Sequence, residues 1–429
     1  MGVLDRHAGL DAMEGFAASL FERLRRDSFD GVGITRESYA RGETVAHELI
    51  ADTARQEGLQ VGEDAAKNLI IALPGREPEK PFIACGSHLD SVPQGGNFDG
   101  AAGVVAGLTV VVDLKRTGLV PPRTVKVFAF RAEESAWFGK SWLGSNAMFG
   151  RLSDADLSLP RATNGQTLRD AMRTTGVDLD AICGGKRLLD PAQLAAFLEI
   201  HIEQGPVMVA RDLPVAVVTG IYANIRHMRI VCHGRSEHGG GVPRGMRRDA
   251  AFAVAHLIVR LDAAWQEFER SGDNVVVTCG MIGTNPDDHA ISRIPGEVSF
   301  SFEIRAERND TLERFYGRFE AECRALEAER DVRFEIDRRI VNMAAPMDGR
   351  WVKHLSGICT RLNLAHELLP SGGGHDAAVF VHAGVPTAML FIRNEHGSHN
   401  PREAMRIDDF MAATKVLHEA LCNPLLGVA

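Results

Sequence analysis

Histidines and carboxylates recur in this chain where apolar runs come to an end. Gly86-Ser87-His88-Leu89-Asp90 follows the apolar run Pro81–Cys85 and leads into Gly95-Gly96-Asn97-Phe98-Asp99-Gly100. His88 and Asp90, two apart in extended chain, project to one side, which lets the carboxylate orient the imidazole. Asp99 sits in a glycine-rich turn that opens an apolar helical run, Ala101 to Leu114. A second apolar run, Thr124–Phe130, ends in Arg131-Ala132-Glu133-Glu134. A third, Phe197–Ile200, ends in His201-Ile202-Glu203-Gln204-Gly205-Pro206, and a fourth around Leu390 leads to His396-Gly397-Ser398-His399-Asn400-Pro401. A lone His-x-Asp is usually a polar turn with a capping carboxylate, and adjacent glutamates are usually solvated. Together at successive strand ends they form the donor set of a metal hydrolase. One glutamate of the pair binds metal and the other takes a proton from the attacking water. Mixed His, Asp and Glu donors without thiolate suit Zn²⁺, Mn²⁺, Co²⁺ or Ni²⁺.

The elements that carry these residues alternate between helix and strand, which points to an α/β layer architecture. Leu10, Met13, Phe16, Leu20 and Leu24 recur at helical spacing before it. From Pro214 a second pattern runs strand, strand, helix, strand, strand, helix: Val215–Thr219, His227–Val231, Arg248–Phe268, Asn274–Cys279, Val298–Ile304 and Thr311–Arg330. This reads as a compact α+β unit inserted into the first. The expected division is residues 1–212 with 332–429 for the catalytic, metal-binding domain and 213–331 for the inserted one. The chain's 429 residues are enough for two or three domains with real cores. Its 48 Lys and Arg against 57 Asp and Glu give a net charge of −9, which argues against a nucleic-acid or anionic-membrane binder. No apolar run reaches the roughly 20 residues of a membrane helix. The first residues lack the basic and apolar regions of a secretory signal, and Arg6 stands where a myristoylation site needs Ser or Thr. The 7 cysteines lie far apart with no CxxC, so a reducing cytoplasm is expected.

GSHLDSVPQGGNFDGAAGV, the Glu133-Glu134 pair, LEIHIEQGPV, LPSGGGHDA and GSHNP resemble the motifs of the M20 metallopeptidase-like superfamily. More narrowly they resemble its amidase branch, which holds N-carbamoyl-L-amino-acid hydrolases, allantoate and ureidoglycolate amidohydrolases and bacterial-type β-ureidopropionases. The likeness runs from about Gly31 to the C-terminus. HIEQGP is its most specific piece, since peptidases of the superfamily usually carry Glu where this branch has the histidine matching His201. The resemblance implies a zinc-peptidase-like α/β catalytic domain with an inserted α+β lid and dimerisation domain, hence a homodimer acting on a small-molecule substrate. It implies two divalent ions per subunit: His88 and His201 on one, Glu134 and His399 on the other, Asp99 bridging. Glu133 would be the general base and Asp90 would orient His88. Gln204 and Gly373 match substrate-contacting positions. His238, in Ser236-Glu237-His238-Gly239-Gly240, matches a histidine that stabilises the oxyanion, often from the partner subunit, and Arg305 an arginine that clamps the substrate carboxylate.

The pocket departs from the branch at several points. Ser292 stands where Asn is usual, Ala132 and Ser135 replace Asn and Gly around the glutamate pair, and Trp137 replaces a basic residue. Arg393 and His396 lie in a loop that is usually less charged. The expected activity is hydrolysis of a linear C–N bond in an N-carbamoyl or related N-acyl amino acid. The alternatives are an aminopeptidase or dipeptidase, an amidohydrolase or deaminase for an aromatic substrate, and an inactive metal-binding regulatory protein. His47-Glu48, His366-Glu367 and His418-Glu419 begin like HExxH, but none continues it, and there is no GxSxG elbow or Walker A loop.

Overall fold

The computed structural model describes residues 8–425. The expectation about Arg6 falls on a residue outside that range, as do residues 1–7 of the 16 on which the signal-sequence expectation rests. The chain divides into two units: Met1–Thr219 with Pro346–Ala429, and Gly220–Ala345.

The first unit is built on a nine-stranded sheet. Phe82–His88 is buried along its whole length, as a strand covered on both faces must be. Val125–Phe130 and Leu194–Ile202 run parallel to it on either side, and Thr387–Ile392 runs parallel to Leu194–Ile202. Leu69–Leu73 and Val215–Ile221 flank this parallel centre in antiparallel register. Helix Ala101–Thr117, buried from Ala101 to Leu114, packs between the sheet and helix Ile407–Cys422. A helix apolar all round has no face to offer water, so it can only be interior. The helix expected near the N-terminus is broken at Ala12 and Met13 into Ala8–Asp11 and Glu14–Ser28. Parallel strands bring their carboxyl ends to one edge, where α/β sheets gather reactive side chains.

In the second unit Glu297–Ala306 pairs antiparallel with Ala223–His233, and helices Ala250–Arg270 and Asn309–Arg330 supply the rest of the core. Glu297–Ala306 alternates between buried and more open positions, the signature of a sheet covered on one face only. The unit begins and ends later than residues 213–331. Val215–Thr219, expected as its first strand, lies within Val215–Ile221, which pairs with Thr387–Ile392 in the large sheet. Arg333–Glu335 and Ile340–Asn342 instead pair with Ala223–His233, so they belong to the second unit. Short strands carry no periodicity that says which of two sheets will take them.

Candidate metal centre

Four strands deliver the donors. His88 closes Phe82–His88, His201 is the penultimate residue of Leu194–Ile202, Glu133 and Glu134 follow Val125–Phe130, and His399 lies in the loop beyond Thr387–Ile392. All converge on Asp99. Its Oδ1 lies 3.1 Å from His201 Nε2 and 3.4 Å from His88 Nε2, while its Oδ2 lies 3.4 Å from His399 Nε2. Glu134 Oε1 is 3.3 Å from the same His399 nitrogen, and Glu133 Oε2 is 3.9 Å from His88 Nε2. Two three-residue groups, His88–Asp99–His201 and Asp99–Glu134–His399, each bring one donor atom per residue within 4.8 Å of one another.

The other ring nitrogens are already engaged. His88 Nδ1 faces Asp90 Oδ1 at 3.2 Å, and His201 Nδ1 donates to the Ile202 carbonyl at 2.9 Å while Gly100 N–H points at its Nε2. Each Nε2 is thereby left as an acceptor, the tautomer a cation requires. Gly100 has no alternative: its φ is +66°, and a Cβ would lie 2.4 Å from His88 Nε2. Burial works against charge on Asp99, yet His201, His399 and His88 around it hold its carboxyl well below the usual range. Hydrogen bonds to Asp99 and Glu134 push the His399 imidazole up to about 11. Burial pushes Glu133 well above the carboxylate range, with His88 opposing and Glu134, Asp376 and Asp90 adding to it. A set of imidazoles and carboxylates, all but His399 buried and with no thiolate, fits a pair of divalent cations of the zinc or manganese type.

Asp90 does more than orient His88. Its carboxylate accepts the backbone N–H groups of Glu133 and Glu134, at 3.0 and 3.1 Å, and the Ser38 hydroxyl at 2.6 Å. One side chain thus fixes a candidate ligand, the candidate base and the turn that carries it. That turn includes Ala132 at φ 53°, and Gln204, His396 and His399 also have φ near +60°. Left-handed backbone at non-glycine residues clusters where a site is held by its surroundings.

Three supports were not legible in the sequence. Arg36 is fully buried; its Nε donates to the Leu89 carbonyl at 2.6 Å and its guanidinium reaches Asn97. Desolvation lowers its pKa, and Glu403, Asp90, Asp99 and Glu134 counter by favouring its charge. Glu403 accepts the backbone N–H groups of Phe98 and Asp99. Ser398 Oγ lies 2.5 Å from both Asp99 Oδ2 and Glu403 Oε2. Nothing in TRE, NPRE or a lone serine marks such residues locally; only the folded contacts do.

The remaining expected residues fall into two groups. Gln204 and Gly373 join the centre: Gln204 Nε2 donates to Asp99 Oδ2 at 2.8 Å, and a Cβ on Gly373 would lie 2.7 Å from Gln204 Oε1. His238, Ser292 and Arg305 lie in the second unit. His238 Nδ1 accepts from the amides of Gly240 and Gly241, so in the neutral ring Nε2 carries the hydrogen. Its strand pairs with Arg293–Ile294, and Gly239 N–H donates to the Ser292 carbonyl, which makes His238 and Ser292 neighbours. The adjoining loops, with Ser236, His289 and Arg293, line a cavity of about 520 Å³ that contains none of the cluster. Arg305 Nη2 donates to Glu303 at 3.1 Å. Trp137 and Arg393, which had suggested an altered pocket, are structural. Trp137 is buried with its indole N–H on the Ser91 carbonyl at 2.8 Å, and Arg393 holds Asp409 in a two-pronged pair. The seven cysteines are free thiols, and among the described residues no helix is long and apolar enough to cross a membrane.

Residues 84–423 match the model of peptidase family M20/M25/M40. The chain is 34% identical to an N-carbamoyl-L-amino acid amidohydrolase of Geobacillus stearothermophilus, over 91% of this chain and 93% of that one. It is 32% identical to the allantoate amidohydrolase of Escherichia coli K12, over 90% and 91% of the two chains. The crystal structure of a hydantoinase/carbamoylase family amidase from Burkholderia ambifaria superposes with a TM-score of 0.83 at 28% identity, covering 95% of this chain and 96% of that one. The chain therefore belongs to peptidase family M20/M25/M40, in its branch of amidohydrolases that act on carbon–nitrogen bonds other than peptide bonds.

Proposed function

We propose that this protein hydrolyses the linear C–N bond of an N-carbamoyl amino acid, or a closely related N-acyl compound, that carries a free carboxylate. The observation that carries the reading is the double donor set around Asp99 with Glu133 beside it. His88, Asp99 and His201 are assigned to one divalent cation, and Asp99, Glu134 and His399 to a second: zinc, or manganese, cobalt or nickel. Bound there, such cations supply Lewis-acid polarisation of the substrate carbonyl and lower the pKa of water. Glu133 accepts the proton of the attacking water at a carboxylate oxygen and hands it to the leaving nitrogen. Asp90 keeps Glu133 in place through its backbone N–H. Gln204 and Gly373 are assigned to the substrate. In the second unit the Nε2–H of His238 is assigned to the developing oxyanion, Arg305 to the substrate carboxylate and Ser292 to a further contact. The relatives named for N-carbamoyl amino acids support this substrate class, and the burial of Trp137 removes one of the two grounds for an aromatic substrate, the other being Ser292.

A homodimer through the second unit is part of the reading. Helix Ala250–Arg270 leaves Phe252 and Val259 exposed two turns apart, and the edge strand Val275–Thr278 beside it exposes Val276. Free thiols throughout suit a cytoplasmic location. The protein, stripped and reloaded with each cation, is screened on N-carbamoyl, N-acyl and dipeptide substrates. Turnover of carbamoyl or acyl amino acids that is lost when their carboxylate is amidated supports the assignment; turnover of dipeptides alone overturns it. Mixing inactive His238→Ala with inactive Glu133→Gln subunits restores activity if His238 acts across the dimer, and verified hybrids without activity refute that.

A further inference from the structure

We infer that the indole of Trp142 is the wall that limits the size of the substrate's side chain, so that the enzyme favours amino acids with small side chains. The inference rests on the N-carbamoyl or N-acyl amino-acid reading above. Trp142 caps the short helix Leu143–Met148 with left-handed backbone, φ 62° and ψ 37°. Its backbone N–H donates to the Glu133 carbonyl at 2.8 Å, and the next two backbone amides donate to the carbonyls of Ala132 and Arg131 at 2.9 Å, so the segment is laid against the turn that carries the base. Leu143 turns into the core beside Phe138, whereas Trp142 stays partly exposed.

The ring instead lies on the glycine loop. A Cβ on Gly374 would sit 2.5 Å from Trp142 Cζ2, and one on Gly373 would sit 2.7 Å from Gln204 Oε1. Gln204 in turn donates to Asp99. The path from Asp99 through Gln204, Gly373, Gly374 and Trp142 closes on Glu133 through the Trp142 backbone N–H, which places the indole and the two glycines beside the cluster. The indole N–H is enclosed with no hydrogen-bond partner. An unpaired N–H and a left-handed tryptophan both work against stability. A bulky side chain held there against its local preferences fills volume that a substrate side chain would otherwise take.

The test compares kcat/KM for N-carbamoylglycine and N-carbamoylleucine in the wild type, Trp142→Ala and Trp142→Phe. The wild type favours the glycine compound. Trp142→Ala shifts the ratio toward leucine by about tenfold or more, and Trp142→Phe shifts it less. Gly374→Ala, which pushes the ring from behind, shifts the ratio the other way. A ratio unchanged in both Trp142→Ala and Gly374→Ala overturns the inference. If the wild type cleaves only N-acetyl compounds, the same pair of amino acids is used in that form. If it cleaves neither, the substrate reading has failed, and the wall is read by binding alone. Free glycine and leucine are then titrated against the intrinsic fluorescence of the wild type and Trp142→Phe. A response that distinguishes the two amino acids only when Trp142 is present upholds the wall, and equal or absent responses in both proteins overturn it.

Discussion

The two halves of the cluster share Asp99 and differ in almost everything else. His88 and His201 are strand residues, buried at 2% and 1% exposure, each with its other ring nitrogen engaged. His399 stands in a loop at φ 59° with half of its side chain exposed, and Glu134 follows a left-handed turn. Asp99 itself is lopsided. Its Oδ1 faces only the two buried imidazoles, whereas its Oδ2 already accepts from Gln204 and Ser398. A carboxylate oxygen offers about two lone pairs, so a cation entering the open half must displace one of those donors. The contrast teaches that sheet positions yield a preformed donor set, while loop positions yield one that has to be completed on binding.

The most severe way to break the contrast is to remove what the halves share. Asp99→Ala is expected to lose both cations and all activity; elemental analysis showing full occupancy would remove Asp99 from the bridge. Glu133→Gln is expected to cost on the order of 10²–10⁴ in kcat while metal content stays near normal. A variant that keeps most of its rate would show that the base lies elsewhere. His399→Ala should empty the open half alone, leaving one cation per subunit, and chelator titration of the wild type should release metal in two steps. A single step with equal affinities would erase the distinction between the halves. The smallest effect is expected at the turn bearing Glu134. Ala132→Gly relieves a left-handed alanine and should stabilise the protein by up to about 1 kcal/mol, read as the midpoint of chemical denaturation. Destabilisation there would mean that the Ala132 methyl, buried in its cluster, is worth more than the backbone it strains.

How much of this was legible follows the same divide. The strand-end donors could be read because buried strands announce themselves as apolar runs and a histidine or carboxylate at their ends stands out. The family resemblance then paired them. Arg36, Ser398 and Glu403 could not be read, because what distinguishes them is burial against residues far away in the chain. Trp137 misled for a related reason: its type suggested a pocket aromatic, but its indole N–H is spent on Ser91 inside the core. The limits of the second unit slipped because the pairing of Val215–Ile221 with Thr387–Ile392 leaves no local trace.

That pairing bears on how the chain is made. Thr387–Ile392 lies between Leu194–Ile202 and Val215–Ile221 in the finished sheet, yet the ribosome produces it only after the whole of the second unit. At about 5–20 residues per second, Leu194–Ile202 waits roughly 10–40 s for its neighbour. During that interval an apolar strand that already carries His201 presents an open edge, the kind that pairs with whatever strand it meets. The second unit, contiguous in the chain and with a core of its own, is free to fold first. Nascent chains released before residue 387 should therefore combine a folded inserted unit with an aggregation-prone half-sheet, and the yield of active protein should depend on how well that one edge is shielded during synthesis.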